Sequence, residues 1–229
     1  MKKIYLCILF ATFFVISACA DGVIANNSSA SKKIAITFDD GPHPVHTEKI
    51  LDILKKYNVK ATFFILGSNA ARYPDIVKRT FDEGHELGNH TYNHVFVNKV
   101  SDDKLRQEIY DTDKVIFDIT GSRPMVFRPP GGAYNDKKVA VITETGHKCI
   151  LWSWWQDTRD WSCPPVEKVV HTVVSNLHDG DIVLFHDFNS GKTPTVEALE
   201  IIIPDLISKN YEFVSVSELI SEIPCENEE

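Results

Sequence analysis

The sequence predicts an α/β fold in which parallel strands alternate with outer helices, and three observations carry that reading. From Lys33 onward, short β-branched and aromatic runs recur along the chain. Longer stretches with apolar residues at helical spacing separate them. The side chains best suited to chemistry fall at or just beyond the C-terminal ends of the strand-like runs. Regular strand–helix alternation favours a parallel sheet covered by helices, either closed as a barrel or open and doubly wound, and periodicity alone does not choose between the two.

Seven runs read as strands: IAITF (34–38), ATFFIL (61–66), HELGNH (85–90), MVFRPP (125–130), KCILWS (148–153), DIVLFH (181–186) and EFVSV (212–216). Between and after them, residues 47–58, 75–84, 102–121, 136–146, 164–180 and 196–210 read as helices. Most end near Gly or Asn, as a helix stop requires. Of the 229 residues, 43% are hydrophobic and 24% charged, which suits a soluble globular body and excludes both disorder and a multispanning membrane protein. The formal net charge of -8, with no basic patch beyond short Lys pairs, argues against a nucleic-acid partner.

The N-terminus reads as an export signal at 1–18. Lys2 and Lys3 precede an apolar run from Ile4 to Ile16 that is too short for a permanent span. It ends in Ile16-Ser17-Ala18-Cys19, which resembles a bacterial lipoprotein box, with Cys19 as the lipid anchor to the membrane. A conventional signal peptide and a secreted product are the alternative. Residues 19–31, rich in Asn, Ser and Ala, are expected to form a flexible tether. Residues 32–222 would then be one catalytic domain and 223–229 an acidic tail. Cys149, Cys163 and Cys225 form neither a zinc-knuckle spacing nor a disulfide framework; one pair could bridge outside the cell, and Cys149 reads as a buried structural residue.

Asp39, Asp40, His90, Arg128, Asp157, Asp160 and His186 all follow strand-like runs, and parallel α/β folds bring such ends together on one face. His90 and His94, four residues apart, would share one side of a helical turn and reach one ion, with Asp40 completing a two-His, one-Asp site. Adjacent carboxylates repel unless a cation separates their roles, so one of Asp39 and Asp40 would ligate while the other acts as a base. Asp-Asp-Gly-Pro is also good turn chemistry, and isolated His pairs are common without metal. His43, His46, His85, His147, His171 and His178 read as structural or surface residues.

Five ordered segments, Thr37-Phe38-Asp39-Asp40-Gly41-Pro42, His90-Thr91-x-x-His94, Arg128-Pro129-Pro130-Gly131-Gly132, Asp157-Thr158-Arg159-Asp160-Trp161 and Leu184-Phe185-His186, resemble the motifs of the polysaccharide deacetylase family, also called the NodB-homology domain or carbohydrate esterase family 4. The resemblance spans Lys33 to about Ile220 and implies a distorted (β/α) barrel of about seven parallel strands with outer helices. It implies metal-dependent removal of the N-acetyl group of N-acetylglucosamine residues in a polysaccharide, with peptidoglycan as the natural substrate for an exported enzyme. It further implies one divalent cation on Asp40, His90 and His94, zinc foremost, with cobalt, nickel or manganese as alternatives. Asp39 would be the base, paired with Arg128; His186 would be the general acid, oriented by Asp160. A backbone N–H near Gly131 would stabilise the oxyanion, and Pro130, Asp157, Trp161 and Leu184 would help bind substrate. Gly131 departs from the Tyr that many members carry, so an aromatic wall is expected to be missing. A monomer is expected. O-deacetylation of acetylated xylan and a catalytically silent glycan-binding domain are the alternatives; a metallopeptidase is disfavoured because no HExxH segment is present.

Overall fold

The computed structural model describes residues 22–188 and 191–221. The export signal, Cys19, Cys225 and the acidic tail lie outside the described residues.

Among the described residues, eight strands form one parallel system. They are β1 (Val23–Ile24), β2 (Lys33–Asp39), β3 (Thr62–Ile65), β4 (Glu86–Asn89), β5 (Val126–Phe127), β6 (Lys148–Ile150), β7 (Ile182–His186) and β8 (Glu212–Phe213). The order is β1-β6-β5-β4-β3-β2-β7, with β8 also pairing β2. Strands β2 to β6 are therefore neighbours in chain order, as winding around a barrel requires, and the reversal of a doubly wound sheet does not occur. The two sheet edges approach each other: the Ser153 N–H donates to Ile182 O at 3.0 Å, and Asp157 bridges Leu184. The sheet thus curls into a distorted barrel.

All seven sequence-predicted strands are present, and each predicted helix has its counterpart: α1 (His46–Tyr57), α3 (Pro74–Asp82), α4 (Asp102–Thr120), α5 (Asp136–Glu144), α6 (Val166–Ser175) and α7 (Thr195–Ser208). Two short helices were not foreseen, α2 (Gly67–Arg72) and α8 (Val216–Ser221). EFVSV accordingly ends as a strand at Phe213, because Val216, Leu219 and Ile220 of α8 turn inward to plug the barrel. The expected tether is also corrected from Gly22 onward. Val23–Ile24 pairs with Cys149–Ile150, and the buried Asn27 amide donates to Leu219 O at 2.8 Å, so this segment belongs to the fold.

Period-two alternation on the strands separates two cores. On β2, Ile34, Ile36 and Phe38 face the helices and pack with side chains of α1, α3, α6 and α7, whereas Ala35 points into the barrel. Phe38 stacks between Phe63 and Phe185 at 4.9 and 5.7 Å, so Phe38→Ala is expected to cost about 3–5 kcal/mol. The barrel interior is layered. Ala35, Phe64, Val126, Ile150 and Ile182 form an apolar layer above α8. One step further along the strands the inward positions become Thr37, Arg128 and Leu184, and then Asp39 and His186. The polar rim is the continuation of the same alternation. Among the described residues, no helix is long and apolar enough to cross a membrane.

Candidate active site

A guanidinium at the centre of the barrel organises the rim. Arg128 is fully buried; its NH1 donates to Thr37 Oγ1 at 2.7 Å and Asp39 Oδ1 at 2.8 Å, and its NH2 donates to Leu151 O at 2.8 Å. Its Cζ lies 4.0 Å over the Phe64 ring, and Gly88 leaves room for that ring, since a Cβ there would stand 2.5 Å from Phe64 Cδ1. A charge buried this deeply is tolerable only when paired and hydrogen-bonded, so Arg128 and Asp39 fix each other.

Next to this pair stands the Asp40, His90 and His94 cluster, whose ligand atoms all lie within 4.8 Å of one another. His90 Nε2 is 3.5 Å and His94 Nε2 3.3 Å from Asp40 Oδ1. These separations match the edge of a tetrahedron built from metal–ligand bonds of about 2.0–2.1 Å, roughly 3.3 Å. Asp40 Oδ1 is buried without a hydrogen-bond partner, the state expected of an atom reserved for a cation. His90 Nδ1 lies 2.7 Å from Arg128 O, a contact that requires Nδ1–H and leaves the Nε2 lone pair for the site. The residues therefore fit one divalent cation with open positions for water and substrate, and an N,N,O donor set suits zinc or cobalt better than calcium.

The helical turn expected to join the two histidines is not there. Thr91 and His94 have φ of 68° and 56°, and the intervening residues form an irregular loop. That loop is held by α4: the buried Glu108 carboxylate accepts from Tyr92 N at 3.0 Å, Asn93 N at 2.7 Å and Asn93 Nδ2 at 3.0 Å. Asn89 Oδ1 accepts the Thr91 N–H at 2.9 Å. Asp40 has φ of 76°, and its carbonyl accepts from Asn69 Nδ2 of α2 at 2.7 Å.

His186 faces this cluster from β7, whose register sets it opposite Asp39. Asp160 is fully buried and saturated. Its Oδ1 lies 2.8 Å from His186 Nδ1 and accepts from Trp161 N at 3.0 Å; its Oδ2 accepts from His186 N at 2.9 Å and from Thr195 Oγ1 at 2.5 Å. The arrangement fixes the imidazole and turns Nε2 toward the rim. Burial works against the charged ring, but the hydrogen bond and charge of Asp160, with Asp39 and Asp40 beyond, outweigh it and lift His186 to about 9.

Among the residues assigned to substrate, Leu184 is buried in the barrel beneath His186, Pro130 is buried, and Trp161 stands exposed beside Asp160. Gly131 has φ of 64° in the loop after β5. Asp157 does not join the cluster; its Oδ1 accepts the Arg159 N–H at 3.1 Å, shaping the turn to Asp160. The sequence reading missed Thr37, Glu108 and Thr195, ordinary residue types whose roles appear only when distant elements meet. It also missed Asp187, buried beneath Gly41, whose Oδ2 accepts from Thr47 Oγ1 at 2.6 Å and which burial pushes up to about 7.

An α/β barrel with an Asp-His-His cluster able to hold a cation, facing a carboxylate-held imidazole, is the arrangement of metal-assisted hydrolases of the barrel type. Comparison with known proteins makes this specific: residues 26–150 match the polysaccharide deacetylase family, and the chain belongs to it. A peptidoglycan-N-acetylglucosamine deacetylase of Bacillus cereus is 48% identical over 189 residues, 82% of this chain and 88% of that one. A solved peptidoglycan N-acetylglucosamine deacetylase bound to an N-hydroxybenzamide superposes with a TM-score of 0.84 at 36% identity, covering 90% of this chain and 95% of the other. A carbohydrate esterase family 4 pseudoenzyme from Bacillus anthracis also superposes, with a TM-score of 0.81 at 30% identity, covering 88% and 69%.

Proposed function

We propose that this protein removes the acetyl group from N-acetylglucosamine residues of peptidoglycan by metal-dependent hydrolysis, leaving a free amine and acetate. The observation that carries the reading is the register of β2 against β7, which sets Asp39 opposite His186 with the Asp40, His90 and His94 cluster alongside. Membership of the family does not by itself carry activity, since a pseudoenzyme shares the fold. Here both halves of an acid–base pair and a complete ligand set are present together. The relatives named above support the substrate.

Asp40, His90 and His94 would hold the cation, zinc foremost. When bound, such an ion polarises the acetyl carbonyl and makes water acidic enough to attack near neutral pH. Arg128 occupies Asp39 Oδ1, so Asp39 Oδ2 is the oxygen that takes the water's proton. The backbone N–H at Gly131 is assigned to the oxyanion, as a donor that needs no reorganisation. Asp160 holds His186 protonated through neutral pH, and Nε2 delivers that proton to the departing amine nitrogen. Leu184, beneath His186, forms an apolar floor for the acetyl methyl group.

Acetate release from peptidoglycan and from N-acetylglucosamine oligomers, measured after chelation and again after adding zinc, tests the reading. Release restored by metal and reduced at least ~10³-fold in Asp39→Asn is the expected outcome. A metal-loaded protein that frees no acetate from any N-acetylated glycan would overturn it in favour of a silent binder.

The leader and the box ending at Cys19 support export and anchoring at the cell surface. Only Ala20 and Asp21 lie between Cys19 and the described fold at Gly22, a reach of roughly 10 Å when extended. Anchoring would therefore hold the barrel close to the membrane. Retention of the wild type in membranes and release of Cys19→Ala into the medium is the corresponding test.

A further inference from the structure

Gly131 leaves a gap beside the site, and Phe96 fills it. A Cβ at Gly131 would lie 2.9 Å from Phe96 Cε1, with Cδ1 and Cζ at 3.6 and 3.8 Å, so the ring edge occupies the direction any side chain at 131 would take. Phe96 is two residues past the ligand His94, and their rings meet edge to face at 6.0 Å. The following Val97 is fully buried and begins a 3-10 turn that ends at Lys99, and the preceding Val95 N–H donates to Thr91 Oγ1 at 3.3 Å, so the backbone carrying Phe96 is anchored on both sides. Lys99 Nζ lies 4.8 Å over one face of the ring. A large apolar ring is nevertheless 43% exposed at this place, between a cation ligand and the loop assigned to the oxyanion. Burial in the core does not explain it.

We propose that Phe96 is a specificity-determining residue: its ring is the aromatic wall of the substrate groove, and the apolar C–H face of the pyranose that bears the acetamido group packs against it. The proposal rests on the deacetylase reading above and deepens it. An acetamido group held between the cation site and Gly131 places its own sugar ring within a few ångströms of both, which is where Phe96 stands. Lys99 covers one face of the aromatic ring and braces it, and the side chain keeps a large exposed surface beside the site. The wall thus comes from the histidine loop on this chain, and Gly131 must stay small to admit it. Gly131 and Phe96 are then a coupled pair: a side chain at 131 and the ring at 96 compete for one space.

The test is steady-state kinetics of the zinc-loaded protein on N-acetylglucosamine tetramer, with zinc affinity and thermal midpoint measured on each variant. Phe96→Ala is expected to raise KM about tenfold with kcat within about twofold, the signature of lost binding that is equal in ground and transition states. Phe96→Tyr and Phe96→Trp should keep the wild-type KM. Gly131→Ala should impair the wild type more than it impairs Phe96→Ala, since removing the ring frees the space. An unchanged KM in Phe96→Ala, or a fall in kcat alone, overturns the proposal. Should Phe96→Ala lose zinc, Phe96→Leu against Phe96→Tyr decides: both fill the gap, only one offers a flat ring, and equal KM values overturn the wall. A wild type that releases no acetate at all is a different result and strikes the deacetylase reading instead.

Discussion

The two sides of the site are built on opposite principles. On the His186 side every polar atom of Asp160 is used, by two backbone N–H groups, a hydroxyl and the imidazole, so this half is complete as folded. On the Asp40 side a buried carboxylate oxygen has no hydrogen-bond partner. Positive φ at residues other than glycine occurs on both sides, at Asp40, Thr91 and His94 on one and at Arg159 and Cys163 on the other, so the satisfaction of the two carboxylates is what separates them. Each such backbone costs roughly 1–2 kcal/mol and persists only when its surroundings impose it. The difference teaches where a bound cation's binding energy would go: it would complete and steady one half, while the other is preassembled by hydrogen bonds around Asp160.

The strongest way to break the comparison is to remove ligands. Asp40→Ala and His94→Ala should each abolish measurable zinc binding and reduce acetate release at least ~10³-fold, with the fold intact by circular dichroism. In the wild type, zinc should slow amide hydrogen exchange across residues 90–96 and leave the amides of 160, 161 and 186 nearly unchanged. Equal protection of both regions would show that the halves are not independent.

A smaller effect is expected when the preassembled half is disturbed. Asp160→Asn retains the shape but weakens the charge that holds His186 protonated, so kcat should fall about 10²-fold while zinc affinity stays within about threefold. The pH profile sharpens this. A general acid works only while protonated, so wild-type kcat should fall as pH rises through about 9, and the alkaline limb of Asp160→Asn should move toward the ordinary histidine range near 6.5. The same raised value stabilises the fold of the metal-free protein fully below about 6.5 and ceases to do so as pH climbs through about 9. Denaturation midpoints of the metal-free wild type and variant should therefore converge over that window. An alkaline limb that does not respond to Asp160→Asn would remove His186 from the acid role.

Much of this was legible in the chain, for reasons that differ by residue. Asp39, Asp40, His90, Arg128, Asp160 and His186 stand at strand ends, and strand periodicity with parallel topology is enough to send them to one rim. The strands themselves declared their faces through alternation, as Ile34, Ile36 and Phe38 show. What failed were short-range guesses in which local pattern is weak and tertiary contact decides. Val23–Ile24 is too short to carry periodicity and becomes a strand only because β6 offers an edge. The His90–His94 spacing suits a helix, yet Glu108 and Asn89 hold the chain in a loop. Phe96 gives no signal of its own; an aromatic two residues beyond the proposed ligand His94 draws notice only beside Gly131.

Glu108 offers the finest cut between the two halves, because it touches neither the cation nor the substrate. Its carboxylate gathers the N–H groups of Tyr92 and Asn93 and the Asn93 amide, and Lys104 Nζ pairs with it at 2.7 Å. Burial raises its pKa, but the Lys104 and Asn93 hydrogen bonds prevail and hold it below the usual carboxylate range, so it is ionised in the working protein. Glu108→Gln keeps the size and one acceptor oxygen but turns an NH₂ toward donors, leaving the His90–His94 loop less firmly placed. Partners that orient ligands typically contribute 10–100-fold to metal affinity, and Glu108 acts one step further out, so zinc affinity should weaken about tenfold. At saturating zinc, kcat should return to within about twofold of wild type, since His186 and Asp160 are untouched. A kcat that stays low with zinc bound would mean that the loop also places the reacting groups, and the division into a metal-completed half and a preassembled half would have to be abandoned.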